Sequence, residues 1–206
     1  MKPLVGKKIS ILGLGASGVA AAQLALVKGG EVYVSDSRVE PSAAAGAAEL
    51  RGMGARVELG GHDLERVAGS DAVVVSPGIP PDAPVLKALH SDGCQWISEP
   101  EFAFRFLEGP LIAVTGTNGK TTTAAMTAHM LRVSGVAVGL GGNIGSEFGP
   151  PASGLALLDP VPDWFVVEVS SFQLADIVDF APKIGIVTNL APDHLDPVSY
   201  THLRAH

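Results

Sequence analysis

Short apolar runs alternate with helix-like stretches along most of the chain. Runs rich in valine, isoleucine and leucine predict buried strands at 8–12, 31–35, 71–76, 111–114, 164–169 and 184–188, with extended segments at 56–59 and 136–140. Between them, helices are predicted at 17–28, 43–53, 84–90, 101–107 and 120–133. Continuous apolar strands that alternate with helices are typical of a parallel sheet covered on both faces. The pattern therefore predicts an α/β protein.

The order of these elements predicts two consecutive α/β units. The first finishes around residues 97–100, and a short helix at 101–107 connects it to a second unit that begins with the strand at 111–114. The glycine-rich stretch 141–145 is predicted to be a loop. We therefore expect one domain at 1–98 and another at 99–206.

Composition narrows the class of protein. Hydrophobic residues make up 47% of the 206 residues, which is enough for a core, and the net charge of −7 without a basic stripe argues against nucleic-acid binding. A single cysteine excludes an internal disulfide framework and fits a reducing compartment. The uncharged stretch 9–27 is interrupted by glycines, so it predicts a strand, a turn and a helix rather than a membrane span. We expect a cytoplasmic protein without a membrane partner.

The first candidate site is the G-x-G-x-x-G turn at residues 13–18, between a predicted strand and a predicted helix. Its glycines let the backbone approach a ligand, and the helix N-terminus offers N–H groups to an anion. Asp36 ends the next strand, where a carboxylate can accept bonds from a ribose or a base. The pattern indicates a nucleotide site without choosing the nucleotide. It is also compatible with close helix–strand packing alone.

The second candidate site is the loop TGTNGKTT at residues 115–122. It lies between a predicted strand and helix, where consecutive N–H groups can wrap phosphate oxygens. Lys120 can neutralise phosphate charge, and the Thr121 hydroxyl can bind magnesium. The spacing G-x-x-G-K-T is two residues shorter than the general phosphate-binding loop. A turn-and-cap interpretation leaves the lysine unexplained.

Two polar residues follow buried strands of the second unit. Glu168 falls near the end of the run 164–169, and His194 lies just beyond the run 184–188. Both are therefore predicted at the carboxyl edge of a parallel sheet, where Glu168 can hold magnesium. Ser170 and Gln173 add polar groups at that edge. Three other histidines have no such setting and are interpreted as ordinary surface or helix residues: His62, His90 and His129.

Seven motifs in this order resemble those of the Mur ligase family, from about residue 5 to Asp196. They are GLGASG at 13–18, SDSR at 35–38, SPGI at 76–79, TGTNGKTT at 115–122, GGNIG at 141–145, EVSSFQL at 168–174 and TNLAPDHLD at 188–196. GLGASG and EVSSFQL favour the D-glutamate-adding branch of the family. The resemblance implies a Rossmann-like, UDP-sugar-binding domain followed by an incomplete P-loop-type ATP-binding domain.

The resemblance also implies roles for individual residues. Uracil and ribose contacts match Ala16, Ser17, Asp36, Ser37 and Arg38, while Ser76 and Gly78 match positions near the diphosphate. The ATP loop matches Gly116, Thr117, Asn118, Gly119, Lys120, Thr121 and Thr122. Substrate-side contacts match Asn143, Ser170 and Gln173. Catalytic roles fall on Lys120, Glu168 and His194, and magnesium ligands on Thr121, Glu168 and His194.

The activity implied is that of an ATP-dependent ligase acting in cytoplasmic peptidoglycan precursor synthesis, and hence in cell-wall formation and division. Its substrates would be UDP-N-acetylmuramoyl-L-alanine and D-glutamate, and its cofactors would be ATP and Mg²⁺. The protein is expected to be a monomer. Residues 197–206 depart from the family pattern. Family members continue with further ATP-site residues and a third domain, so we expect this chain alone not to complete the reaction.

Three alternatives remain, one of which, a related ligase, comes from the resemblance. An NAD(P)-dependent oxidoreductase would use the 13–18 turn and Asp36, but it leaves the loop 115–122 without a task. A folate polyglutamate synthetase shares the ATP loop but is not expected to carry GLGASG or SPGI. A nucleotide-binding fragment without turnover is the third.

Overall fold

A computed structural model of the chain describes residues 3–191 and contains two parallel sheets. The strands of the first sheet are β1 (Lys8–Leu12), β2 (Glu31–Asp36), β3 (Arg56–Leu59), β4 (Ala72–Val75) and β5 (Ile97–Ser98). They lie in the order β3-β2-β1-β4-β5, and every neighbouring pair is parallel. The predicted α/β class with parallel sheets is confirmed.

Helices connect the strands of the first sheet: α1 (Ala16–Val27), α2 (Pro41–Gly52), α3 (Leu64–Ala68) and α4 (Pro84–Ser91). The chain moves outward from β1 through β2 to β3 and then returns to β4 on the opposite side of β1. Open α/β sheets bind ligands at the carboxyl ends of the strands at such a reversal. The strand order therefore places a candidate site beside the turn that follows β1.

The uncharged N-terminal stretch folds as predicted into a strand, a glycine turn and a helix. The strand β1 ends at Leu12, and α1 begins at Ala16. Within the described residues 3–191, no helix is both long enough and apolar enough to cross a bilayer.

The second sheet contains β6 (Leu111–Thr115), β7 (Val138–Gly142), β8 (Trp164–Glu168) and β9 (Ile184–Val187) in the order β7-β8-β6-β9. Its helices are α5 (Glu99–Phe104), α6 (Lys120–Val133), α7 (Ala152–Leu155) and α8 (Ser171–Ala175). Because β6 lies between β8 and β9, residues that follow these three strands meet around the loop between β6 and α6.

The structure differs from the sequence prediction in three respects, of which the first is the unpredicted two-residue strand β5. The strand β7 continues through Gly141 and Gly142, which were predicted as loop. Leu155 packs so closely here that a Cβ on Gly141 would lie 3.0 Å from it, so the strand needs glycine instead of the usual β-branched residues. The helices α3, α7 and α8 were not predicted, because an element of four or five residues shows too little periodicity to be recognised.

Helix α5 joins the two units. Phe102 packs in the core of the first sheet, whereas Ala103 packs in the core of the second. The buried Glu101 carboxylate accepts N–H groups of residues 178, 179 and 180 at 3.0, 2.9 and 2.8 Å through Oε2, and the Arg105 guanidinium at 3.0 Å through Oε1. A buried charge requires such partners. Glu101 therefore ties the segment that precedes β9 to α5.

Candidate functional site

The first candidate site is a cavity of about 480 Å³ at the carboxyl ends of β1, β2 and β4. It is lined by all the residues that the sequence predicts for the nucleotide of the first domain: Ala16, Ser17, Asp36, Ser37, Arg38, Ser76 and Gly78. The structure thus brings together three sequence motifs that are far apart in the chain. This volume is in the range of small-molecule sites.

The glycines of the 13–18 turn have different roles. Gly13 has a φ of +96°, and a Cβ there would lie 2.9 Å from the Cβ of Ser76. Gly18 packs against the Gly13 carbonyl too closely for any side chain. Gly15 has an ordinary φ of −74° and open space where its Cβ would be. It is the N-cap residue of α1, and no side chain there accepts a hydrogen bond from the first N–H groups of the helix. Close packing therefore explains Gly13 and Gly18, whereas Gly15 leaves the helix N-terminus open to a ligand.

The Asp36 carboxylate is fully engaged within the protein. Its Oδ2 accepts the Leu14 N–H at 2.7 Å and Arg38 Nη2 at 2.8 Å, and its Oδ1 accepts the Arg38 N–H at 2.8 Å and Nε at 3.0 Å. Burial opposes ionisation of Asp36, but the hydrogen bonds from Arg38 and Leu14 lower its pKa to about 2. That this carboxylate accepts ribose or base donors stays a prediction. In this structure it holds the glycine turn and Arg38, whose side chain is 50% exposed.

His62 is a cavity residue that sequence reasoning missed. It lines the cavity, and its Nδ1 lies 2.8 Å from the hydroxyl of the buried Ser35. Burial lowers the pKa of His62 against the opposing charges of Asp36 and Glu58, which favours the neutral ring. The available signal was its position: His62 follows two glycines directly after β3, the strand next to β2.

The second candidate site is the loop between β6 and α6. Lys120 Nζ donates to the carbonyls of Gly116 and Thr117, at 2.9 Å each. Gly116 and Gly119 have φ values of +129° and +81°, which L side chains rarely adopt. Glycine at these positions lets the backbone form the concave loop that phosphate binding requires.

Glu168 lies beside this loop, as predicted for a residue at the end of its strand. Its register partner on β6 is Val114, and its Oε2 accepts the Thr121 hydroxyl at 2.8 Å. Burial raises the pKa of Glu168, while the Thr121 hydrogen bond and the charge of Lys120 act in the opposite direction. The predicted third ligand, His194, lies outside the described residues.

The donor set of Thr121 and Glu168 fits magnesium. Mg²⁺ prefers oxygen ligands and is usually bound by one or two carboxylates together with substrate phosphates rather than by a complete protein cage. Among residues 3–191, no cluster of three histidine, cysteine or acidic side chains forms such a cage. A hydroxyl and a carboxylate next to a phosphate loop therefore suit an ion that arrives with a nucleotide.

Residues after β9 hold the loop from the other side, a role that sequence reasoning did not assign. Asn189 Oδ1 accepts the Asn118 N–H at 3.0 Å, and Asn189 Nδ2 donates to the Asn118 carbonyl at 2.9 Å. The Thr117 hydroxyl donates to the Ala191 carbonyl at 2.9 Å and accepts the Ala191 N–H at 3.0 Å. The loop is therefore held by both neighbouring strands.

The predicted substrate-side residues lie near Glu168. The Asn143 N–H donates to the Glu168 carbonyl at 2.9 Å. Ser170 and Gln173 form a capping box at the start of α8, in which Gln173 Oε1 accepts the Ser170 N–H at 2.9 Å. Within the described part of the chain, the buried Gln173 Nε2 has no hydrogen-bond partner. Ser170 and Gln173 thus have a structural role at the start of α8, and the amide NH₂ of Gln173 remains available to donate.

Several known proteins are similar to this chain over most of its length. UDP-N-acetylmuramoylalanine–D-glutamate ligase of Desulfatibacillum aliphaticivorans is 45% identical over 193 residues, which cover 94% of this chain and 42% of that protein. The enzyme of the same name from Cytophaga hutchinsonii is 42% identical, and the match covers 95% of this chain and 42% of that protein. The chain therefore spans less than half the length of these relatives.

Solved structures show the same fold. UDP-N-acetylmuramate–alanine ligase of Thermotoga maritima matches with a TM-score of 0.53 and 26% identity, covering 92% of this chain and 43% of that one. A second match is the UDP-N-acetylmuramate:L-alanyl-gamma-D-glutamyl-meso-diaminopimelate ligase from Neisseria meningitides. Its TM-score is 0.56 and its identity 24%, and the match covers 94% of this chain and 64% of that one. The second likeness concerns the fold alone.

Two domain families account for the sequence. The Mur ligase MurD-like N-terminal domain matches residues 7–98, and the Mur ligase middle domain matches residues 114–202. These two stretches contain the cavity of the first sheet and the phosphate loop of the second. The chain belongs to the Mur ligase family.

Proposed function

We propose that the first cavity binds the uridine diphosphate end of UDP-N-acetylmuramoyl-L-alanine and that the loop 116–122 binds ATP with magnesium. The observation that carries the proposal is the 2.8 Å contact between Thr121 and Glu168 beside the phosphate loop. It supports the proposal because a hydroxyl and a carboxylate beside such a loop are ligands that suit a nucleotide-bound magnesium ion. The similar proteins of known name support the choice of substrate.

For the whole protein we propose ligation of D-glutamate to this substrate. The terminal phosphoryl group of ATP passes to the alanine carboxylate, and ADP leaves. The amine of D-glutamate then attacks the acyl phosphate, so that an amide forms and phosphate leaves. Within this chain, Lys120 exchanges its two loop carbonyls for phosphate oxygens and offsets charge on the transferred group. Magnesium, when bound, neutralises charge on the phosphates.

The oxidoreductase alternative is disfavoured by the engagement of Asp36. An NAD-binding site uses a carboxylate at the end of the second strand to accept the ribose hydroxyl. Here both oxygens of Asp36 already accept hydrogen bonds from Leu14 and Arg38. Recognition at this strand end therefore falls to Arg38 and to backbone groups.

Calorimetry tests the two binding sites separately. The chain is titrated with UDP-N-acetylmuramoyl-L-alanine, with NADH, and with ATP in the presence of magnesium. We expect the uridine nucleotide and ATP each to bind at one site and not to compete. Tighter binding of NADH than of the uridine nucleotide would overturn the assignment of the first cavity.

Turnover is a separate measurement. ADP release is followed with UDP-N-acetylmuramoyl-L-alanine, ATP, magnesium and D-glutamate, for this chain beside a whole-length relative. That this chain alone does not complete the reaction stays a prediction. Equal turnover by the two proteins would contradict it.

A further inference from the structure

His62 lies at the end of the cavity that a nucleoside would occupy. The strand order places the residues that follow β3, β2, β1 and β4 side by side along the cavity. The diphosphate belongs beside β1, where α1 begins at the uncapped Gly15. Neighbouring strands are about 4.8 Å apart, so His62 after β3 lies roughly 10 Å from the diphosphate position, across β2. The nucleoside half of the ligand spans that distance.

The hydrogen-bonding state of the ring leaves one nitrogen for a ligand. Nδ1 is engaged by the hydroxyl of Ser35, which is fully buried and fixes the orientation of the ring. Within residues 3–191, the hydrogen bond of the His62 ring is the one that Nδ1 makes with Ser35, which leaves Nε2 unused. The neutral ring has one donor and one acceptor nitrogen, so Nε2 can make one further bond in either tautomer.

Two carboxylates close to His62, those of Asp36 and Glu58, are already engaged within the protein. Asp36 is engaged by Leu14 and Arg38, and the Glu58 carboxylate accepts the Tyr33 hydroxyl at 2.7 Å. The Tyr33 oxygen also accepts the Asp63 N–H at 3.0 Å. Among these side chains, His62 keeps an unused polar atom while it lines the cavity.

We propose that His62 hydrogen-bonds the nucleoside of a bound nucleoside diphosphate through Nε2, with Ser35 as the positioning residue. The inference rests on the proposed nucleotide function of the first cavity and adds a recognition residue to it. A neutral hydrogen bond of this kind changes affinity by roughly 3- to 10-fold.

Two substitutions separate ligand contact from structural support. The amide of asparagine reaches the position of Nδ1, so His62→Asn keeps the Ser35 contact and loses the ligand contact. The amide of glutamine reaches the position of Nε2, so His62→Gln does the opposite. We expect His62→Asn to weaken UMP and UDP by the same factor, roughly 3- to 10-fold, and His62→Gln to bind both more tightly than His62→Asn does.

Controls are available in the same chain. The exposed His129→Asn on α6 should leave UDP affinity unchanged, and binding of ATP with magnesium reports that each variant is folded. In the unsubstituted chain, the ¹⁵N resonance of His62 Nε2 should shift when UMP is added and not when pyrophosphate is added. A purely structural role would not move that signal.

The outcomes distinguish the inference from the proposed function. If the unsubstituted chain binds UDP and His62→Asn binds it equally well, the role of His62 is overturned while the proposed function stands. If His62→Gln binds more weakly than His62→Asn, the Ser35 contact is what matters, and the inference is again overturned. If the unsubstituted chain binds neither UMP nor UDP, the proposed function of the cavity falls, and this inference falls with it.

Discussion

The Arg38 guanidinium contacts both oxygens of the Asp36 carboxylate, with Nε 3.0 Å from Oδ1 and Nη2 2.8 Å from Oδ2. Such a two-point pair fixes the plane of the guanidinium. The carboxylate is buried, while the arginine side chain remains half exposed at the cavity. Asp36 therefore fixes the positions of the Arg38 guanidinium and of the Leu14 backbone at the cavity.

The lowered pKa of Asp36 predicts a pH-dependent contribution to stability. A carboxyl whose pKa falls from 3.8 to about 2 on folding stabilises the native state by about 2 kcal/mol at neutral pH. The contribution is complete above the unfolded-state pKa and disappears as the pH falls from about 4 towards 2. We expect Asp36→Asn to lower the free energy of urea unfolding at pH 7, and the difference from the unsubstituted chain to shrink near pH 2. The exposed Asp82→Asn is the matched control, and a pH-independent difference for Asp36→Asn would contradict the prediction.

The glycine turn predicts two opposite phenotypes. The methyl group of Gly15→Ala meets no protein atom within 4 Å, so we expect a melting temperature within about 2 °C of that of the unsubstituted chain. The methyl group lies at the open start of α1, so we expect UDP affinity to fall at least tenfold. Gly13→Ala has the same added methyl group, but it strains a φ of +96° and pushes against Ser76, so it should lower the melting temperature. The measurements are thermal unfolding and UDP calorimetry on both variants. Unchanged UDP affinity in Gly15→Ala would mean that this glycine has no ligand role.

Lys120 is predicted to carry phosphate affinity. Removing a charged donor to phosphate costs roughly 10- to 100-fold in affinity, so we expect Lys120→Ala to weaken ATP binding by this factor and leave UDP binding unchanged. Lys87→Ala, an exposed position on α4, is the control. Calorimetry with each nucleotide measures both effects. Unchanged ATP affinity in a folded Lys120→Ala variant would count against the loop assignment.

Glu168 is predicted to act through magnesium. Glu168→Gln keeps the size of the side chain and its hydrogen bond to Thr121 but removes the charge, so the magnesium concentration for half-maximal ATP binding should rise several-fold. ATP titrations over a range of magnesium concentrations measure this shift. The exposed Glu147→Gln should leave it unchanged. An equal magnesium requirement in Glu168→Gln and the unsubstituted chain would exclude Glu168 as a ligand.

Glu101 is predicted to be a stability residue rather than a binding residue. In Glu101→Gln, an amide NH₂ group must face either Arg105 or the three N–H groups of residues 178–180, so buried donors oppose each other. We expect a loss of roughly 3 kcal/mol in the free energy of unfolding. Urea unfolding measures it beside the exposed Glu108→Gln, which should differ little from the unsubstituted chain. Equal stability of the two variants would show that the hydrogen bonds of Glu101 are dispensable.

The sequence alone determined the features that depend on neighbours in the chain. The apolar runs located the main strands, and the G-x-x-G-K-T motif was correctly expected between a strand and a helix. Backbone preferences and hydrophobic periodicity act over a few residues, so these features can be read locally. The resemblance to the Mur ligase family, carried by seven ordered motifs, is confirmed by the domain matches.

The tertiary structure alone decided which distant residues meet. It brought Asn189 to Asn118 and His62 to the cavity of Asp36, and it separated Gly15 from the two packing glycines. None of these contacts is encoded within a motif. The order of the strands determines which strand ends are neighbours, and close packing determines which atoms remain free for a ligand.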